Sequence, residues 1–199
     1  EPYDLVVIGG GATGLGVAVD AAARGFAVAL FEAEDVAKGT SSRATKLVHG
    51  GVRYLAQGNL SLVREALRER ALLLANAPHL ASPLPFVLPA YGWRGRLWDR
   101  WFYGAGLLAY DLLAGSASLG RTGLPGRRRL LKSAPGLNPA GLAGGVSYVD
   151  GQFDDARLAV ALARTAISRG AAVVNYCRVV GLAAERAGSE QLQVVEILD

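Results

Sequence analysis

The chain is predicted to be an α/β protein that opens on a Rossmann-type strand, helix, strand unit, and three features predict it. Residues Tyr3 to Ile8 form a continuous apolar run of strand length that ends in glycines, as a buried parallel strand does. Residues 12–24 follow as an Ala-rich helical stretch closed by Gly25. A second apolar run, Phe26 to Phe31, is closed by Glu32.

The turn between the first strand and the helix reads Gly9-Gly10-Gly11-Ala12-Thr13-Gly14, which contains the spacing G-x-G-x-x-G. Alone the motif is a weak signal, but its place between an apolar strand and a helix gives it a physical logic. Gly9 makes the tight turn, Gly11 lets a pyrophosphate approach the backbone at Ala12 and Thr13, and Gly14 lets helix and strand pack closely. Glu32, 18 residues after Gly14, stands where a carboxylate can accept hydrogen bonds from adenosine ribose hydroxyls. A carboxylate there disfavours a 2′-phosphate, so NADP is not expected. The fingerprint does not separate FAD from NAD.

The remaining elements follow in order. Lys38 to Gly51 is rich in Gly, Ser and Thr without a sustained period, and is read as a loop or a short irregular helix start. From Leu60 to Ala77 the apolar positions Val63, Ala66, Leu67, Leu73 and Leu74 recur at helical spacing, with Arg64, Glu65, Arg68 and Glu69 on the other side. Prolines 78, 83, 85 and 89 end that helix, and Leu84 to Leu88 is expected as an edge strand. Residues 97–114 are helical in pattern. Gly115 to Gly145 reads as connecting structure with a short turn of helix at Arg128 to Ala134. Asp154-Asp155 before 156–168 is a good helix N-terminus, Gly170 stops that helix, and Ala171 to Tyr176 is a third buried strand. Arg178 to Ala184 and Gln191 to Leu198 look like a hairpin with a Gly188-Ser189 turn.

Composition excludes several classes. With 51% hydrophobic and 19% charged residues and a net charge of +4, the 199-residue chain is not disordered. A single cysteine, Cys177, forms no intrachain disulfide and no Cys-rich metal cage, so no metal site is expected and a reducing compartment fits. No uninterrupted apolar stretch is long enough to cross a membrane, and Glu1-Pro2-Tyr3-Asp4 carries no basic leader, so a cytosol-facing protein is expected. The absence of any Met marks the chain as an excerpt or a processed product.

The charge is unevenly spread. Residues 94–132 carry eight basic side chains (Arg94, Arg96, Arg100, Arg121, Arg127, Arg128, Arg129 and Lys132) against Asp99 and Asp111. The same neighbourhood, from residue 91 to 110, holds Trp93, Trp98 and Trp101, with Tyr91, Phe102, Tyr103 and Tyr110. Arginine mixed with Trp and Tyr suits a membrane-surface helix, while the bland alternative is a Trp-rich core patch with a solvated Arg fringe. Nucleic acid is not expected as a partner.

The segment 39–55 supplies hydroxyls, two cations and His49. Together with the fingerprint, with Glu65-Ala66-Leu67-Arg68-Glu69-Arg70, with Ala77-Pro78-His79-Leu80 and with the stretch Asp150 to Leu158, it resembles the FAD-dependent glycerol-3-phosphate dehydrogenases. The resemblance runs from about Tyr3 to the end, and Thr40 to Leu55 is its most specific part.

The resemblance implies a Rossmann-type FAD-binding domain of the D-amino-acid-oxidase-like flavoprotein group, with an inserted substrate-domain segment and a C-terminal truncation. On that pattern residues 1–79 and 145–199 are the two parts of the FAD domain. Residues 80–144 belong to the substrate domain, with a membrane-surface helix at 95–114. The implied reaction oxidises sn-glycerol 3-phosphate to dihydroxyacetone phosphate through FAD, with electrons passed to ubiquinone or menaquinone at the inner face of the cell membrane. A base takes the C2 hydroxyl proton while hydride moves to the flavin. Thr40, Ser41, Ser42, Thr45, Lys46 and Leu47 match positions that contact the flavin or its phosphates, and Val179 is a backbone contact to adenine. His49 lies near the isoalloxazine, and Arg53 and Tyr54 lie on the substrate side, where a guanidinium can pair with phosphate. Family members run to several hundred residues, so the fragment alone is expected to be inactive. Two rivals stay open: a glycerol-3-phosphate oxidase or other FAD-dependent oxidase of the same fold, and a non-catalytic FAD-binding fragment.

Overall fold

A computed structural model describes residues 2–51, 54, 57–187 and 190–198. The chain divides into two compact units, residues 1–45 with 154–199, and residues 46–153. These packing boundaries differ from the functional division expected at 79 and 144.

The first unit is α/β. Strands β1 (Leu5–Ile8), β2 (Val28–Phe31) and β6 (Ala172–Val174) form a parallel sheet in the order β1-β2-β6. Helices α1 (Ala12–Ala23) and α6 (Asp155–Ser168) connect into it. Their buried positions are mostly alanine (Ala18, Ala22, Ala159, Ala163 and Ala166), packed with Leu15, Val28 and Leu30 in one core. Small side chains let backbones approach, so thin helices and a three-strand sheet still exclude water. Gly25 and Gly170 end the two helices at φ of 92° and 91°, as the sequence suggested. The unit also holds α2 (Thr40–Arg43) and the antiparallel pair β7 (Arg178–Ala187) and β8 (Glu190–Leu198). The hairpin was expected; its Gly188-Ser189 turn lies outside the described residues.

The second unit is built on an antiparallel sheet of order β3-β5-β4, from β3 (Leu47–Val48), β4 (Ala81–Tyr91) and β5 (Leu142–Phe153). Helices α3 (Leu60–Asn76) and α4 (Arg100–Ala114) close its core through Val63, Leu67, Leu107, Tyr110 and Ala114 against Val146 of β5. One helical turn (Gly92–Arg94) and a π-helical turn (Gly95–Asp99) lead into α4, and a short helix α5 (Arg127–Ser133) precedes β5. Phe86 and Tyr148, opposite each other in the β4/β5 register, stack with centroids 5.2 Å apart.

The β4 edge is longer than the expected 84–88, and its prolines explain how it tolerates them. Phe153 and Ser147 of β5 donate their N–H groups to Lys46 and Gly123, away from β4. The odd-numbered residues of β4 that pair with them therefore face outward, and Pro83, Pro85 and Pro89 all sit on that parity. No ladder hydrogen bond is lost. Strand β5 itself was not expected. Its glycines and Asp150 mask the strand composition, although Val146, Tyr148 and Asp150 keep a two-residue period.

Candidate functional site

At the end of β1 the chain turns through Gly9, whose φ of 107° lies where glycine is favoured. A Cβ on Gly14 would collide with the carbonyl oxygen of Gly9 and lie 3.3 Å from Val7 Cγ1, so helix and strand touch backbone to backbone. A Cβ on Gly11 would meet nothing within 4 Å, which leaves its backbone open to a ligand.

The N-terminus of α1 is bare. Gly11 offers no side-chain cap, and the first turn, Ala12, Thr13 and Gly14, holds no acidic residue. By contrast α6 is capped by Asp154, which accepts from Arg157 N, and α3 by Asn59, which accepts from Leu62 N. A twelve-residue helix with free leading N–H groups and no anion of its own favours an anion there.

Glu32 closes the site from β2. Its carboxylate accepts the N–H of Gly10 at 2.6 Å through one oxygen and that of Glu34 at 2.9 Å through the other. Each oxygen keeps further acceptor capacity, so the group is fixed in place yet able to accept from hydroxyls.

In the same unit, Thr40, Ser41 and Ser42 lie on α2, with Ser41 buried. The Ser42 hydroxyl donates to the Ala37 carbonyl at 2.7 Å. Thr45 is exposed at the end of this segment, and Val179 is half-buried on β7, paired with Ile197.

The other predicted residues belong to the 46–153 unit. Lys46 holds a left-handed φ of 63°, uncommon for a residue with a side chain, immediately before Leu47 enters β3 opposite Gln152. His49 is exposed, and its Nδ1 accepts the Gly51 N–H at 3.0 Å. Tyr54 is exposed, with its N–H donated to Gly51 O at 2.8 Å. Arg53 lies outside the described residues.

Sequence reasoning missed three residues behind this segment. Arg70, Asp150 and Tyr110 form a buried cluster, joined by an Arg70 Nη1 to Asp150 Oδ1 bond of 2.8 Å and a Tyr110 hydroxyl to Asp150 Oδ2 bond of 3.0 Å. The signal was present: Arg70 falls on the Val63, Leu67, Leu74 stripe of α3, where an arginine needs a buried partner. Burial, and then the Asp150 charge, pushes the Tyr110 hydroxyl well above its ordinary value; the same two causes raise Tyr148.

The aromatic stretch divides. Trp93, Trp98 and Trp101 are 72%, 68% and 62% exposed, so among the described residues they form no core patch. Tyr110 is 2% exposed and leaves the surface set. Arg100 donates to the Leu124 carbonyl. No helix among the described residues is long and apolar enough to cross a membrane.

Comparison with known proteins adds to this geometry. A family model described as FAD dependent oxidoreductase matches residues 4–196. The mitochondrial glycerol-3-phosphate dehydrogenase of Macaca fascicularis is 49% identical over 187 residues, which cover 90% of this chain and 25% of that protein. The glycerol-3-phosphate dehydrogenase of Mycobacterium leprae is 48% identical over 93% of this chain and 31% of its own length. Among solved structures, the Bacillus halodurans glycerol-3-phosphate dehydrogenase complexed with FAD aligns with a TM-score of 0.65 and 33% identity, over 94% of this chain and 29% of that one. An L-proline dehydrogenase from P. horikoshii aligns with a TM-score of 0.69 at 19% identity, covering 93% of this chain and 47% of that one, a likeness of fold alone. The chain thus spans between a quarter and a third of the length of these glycerol-3-phosphate dehydrogenases.

Proposed function

The chain belongs to the FAD-dependent oxidoreductase family, and on that premise we propose that it is the cofactor-holding part of an FAD-dependent glycerol-3-phosphate dehydrogenase. The observation that carries the reading is the bare N-terminus of α1, set directly after Gly9 and Gly11 with the Glu32 carboxylate bonded to Gly10. Backbone N–H groups there suit a pyrophosphate, and Glu32 suits ribose hydroxyls. When bound, FAD supplies the hydride acceptor for oxidation of the C2 alcohol.

The chain's own residues then divide by role. Gly9, Gly11, Ala12, Thr13, Gly14 and Glu32 hold the adenosine and pyrophosphate, with Val179 against adenine. Thr40, Ser41, Ser42, Thr45, Lys46 and Leu47 hold the phosphates and the flavin. His49, Arg53 and Tyr54 face the substrate, where a guanidinium pairs with phosphate and imidazole holds a proton at a ring nitrogen. Residues 1–79 and 145–199 serve FAD and 80–144 serve the substrate side.

Electrons leave to a membrane quinone, ubiquinone or menaquinone, and the protein sits peripherally on a membrane surface through 91–132. The exposed Trp93, Trp98 and Trp101 beside Arg94 support this part of the reading.

The test is flavin release from heat-denatured protein and bleaching of the native sample by glycerol 3-phosphate. FAD released and bleached by that substrate is the expected result for the complete enzyme. FAD that glycerol 3-phosphate leaves oxidised sinks the substrate assignment, and hydrogen peroxide formed without any quinone would make the enzyme an oxidase.

A further inference from the structure

Arg70 and Asp150 are 1% and 2% exposed, and no part of the proposed FAD or substrate contact uses them. Removing two charges from water costs several kcal/mol per ion, and apolar side chains of similar volume would fill the same space. The hydrogen bonds show what the charges reach. Asp150 accepts from Arg70 through Oδ1 and from the Tyr110 hydroxyl through Oδ2, and the Tyr110 oxygen accepts the backbone N–H of Gly50 at 2.8 Å. Arg70 Nη2 donates to Ala117 O at 2.8 Å, and its guanidinium lies 5.9 Å from the Tyr110 ring centroid. A relay therefore runs from α3 through β5 and α4 to one amide of the loop that carries His49.

The space beside the Gly50 α-carbon is filled. A Cβ on Gly50 would collide with the Tyr110 hydroxyl and lie 2.5 Å from Leu67 Cδ2. One residue on, the Gly51 N–H occupies His49 Nδ1. In the neutral imidazole this places the ring proton on Nε2. The His49 side chain is exposed, so its direction depends on the backbone of Gly50 and Gly51.

We propose that Arg70, Asp150 and Tyr110 are positioning residues, a buried relay that holds the Gly50 amide and thereby fixes the His49 imidazole in its Nε2–H form. The functional meaning of that placement rests on reading 49–54 as the substrate-side segment of the flavin site. Tyr110→Phe would fill the core equally well, so the hydroxyl is there for its two hydrogen bonds.

The experiment follows the ¹⁵N-labelled 199-residue chain by NMR, comparing wild type with Tyr110→Phe and Gly50→Ala. Amide exchange is read at Gly50 and Gly51 and, as a control, at Val63 and Leu67 in α3. The ring-nitrogen signals of His49 report its tautomer. Loss of one hydrogen bond should speed exchange at Gly50 and Gly51 by about tenfold and move His49 toward mixed tautomers, with the α3 amides within about twofold of wild type. Unchanged His49 signals, or Gly50 exchange that rises only in step with Val63 and Leu67, overturns the proposal, since a merely structural role gives that pattern. Gly50→Ala presses a methyl group against the Tyr110 hydroxyl and Leu67, displacing the amide from the relay's end while keeping all three relay side chains, and with Val63 as its control it gives the same readout should Tyr110→Phe fail to fold. FAD titration of the wild type separates the two claims: no FAD binding alongside the expected exchange pattern sinks the flavin reading and leaves the relay standing.

Discussion

Glu32 and Gly10, one at the end of β2 and the other in the turn after β1, are joined by a 2.6 Å hydrogen bond from the Gly10 N–H to the carboxylate. The bond ties the turn to the next strand and fixes the carboxylate before a ligand arrives. Glu32→Gln keeps one acceptor oxygen but sets an amide N–H₂ against a backbone N–H. Affinity for FAD should fall about 10- to 100-fold, as loss of a charge-assisted hydrogen bond implies. Flavin fluorescence titration measures it, and an unchanged affinity would remove Glu32 from the site.

Gly14→Ala tests the backbone contact between α1 and β1. The new methyl group meets the Gly9 carbonyl oxygen, so the helix must shift away from the strand. Overpacking of this kind costs about 1–3 kcal/mol, and moving the helix N-terminus should also abolish FAD retention. Urea unfolding and flavin content after gel filtration report the two effects.

How much of this was legible before the structure depended on the range of the interactions. The strand, helix, strand start, the Asp154 cap and the Gly25 and Gly170 stops were readable because each is set by neighbours within a few residues. Strand β5 was not, because Gly144, Gly145 and Gly151 are there for close approach to other elements rather than for strand propensity. The relay was hidden for the same reason. Arg70 and Asp150 are 80 positions apart, and only the fold makes them partners. Tyr110, grouped by sequence with the surface aromatics, turned inward because its position on α4 faces Val63 and Leu67.

Arg70→Met leaves the Asp150 carboxylate buried without its cation. Breaking a buried pair from one side should cost about 3–5 kcal/mol, whereas the double change Arg70→Met with Asp150→Leu should cost less than the single one. Urea denaturation of the four members of this cycle measures the difference. A single variant as stable as wild type would mean the pair contributes nothing to folding.

The raised Tyr110 hydroxyl predicts an alkaline limit. Its ordinary value is 10.0, and the folded state holds it higher by burial and the Asp150 charge. The unfolded chain therefore loses this proton first, so the contribution is complete below about pH 10 and is lost as pH rises above it. Thermal unfolding between pH 8 and 11 should show a steeper alkaline loss for wild type than for Tyr110→Phe, with the Tyr148 share remaining in both.

Membrane attachment is testable with vesicles. Co-sedimentation with anionic vesicles should fall as salt rises and should drop about tenfold or more when Trp93, Trp98 and Trp101 are together replaced by serine. Equal binding to neutral vesicles at all salt concentrations would remove the basic residues from the reading.

The prolines of β4 have a consequence for how the protein behaves in a crowded solution. Along the outward side of 82–90 only Val87 retains an N–H to offer, because positions 83, 85 and 89 have none. The carbonyls on that side still accept, but a strand laid along it by a neighbouring molecule would find a single donor, which disfavours extension of the sheet although the segment is otherwise long, apolar and extended. Imino acids spaced two apart act here as a guard against fibril-like assembly, and Pro85→Val would reopen the edge to self-association.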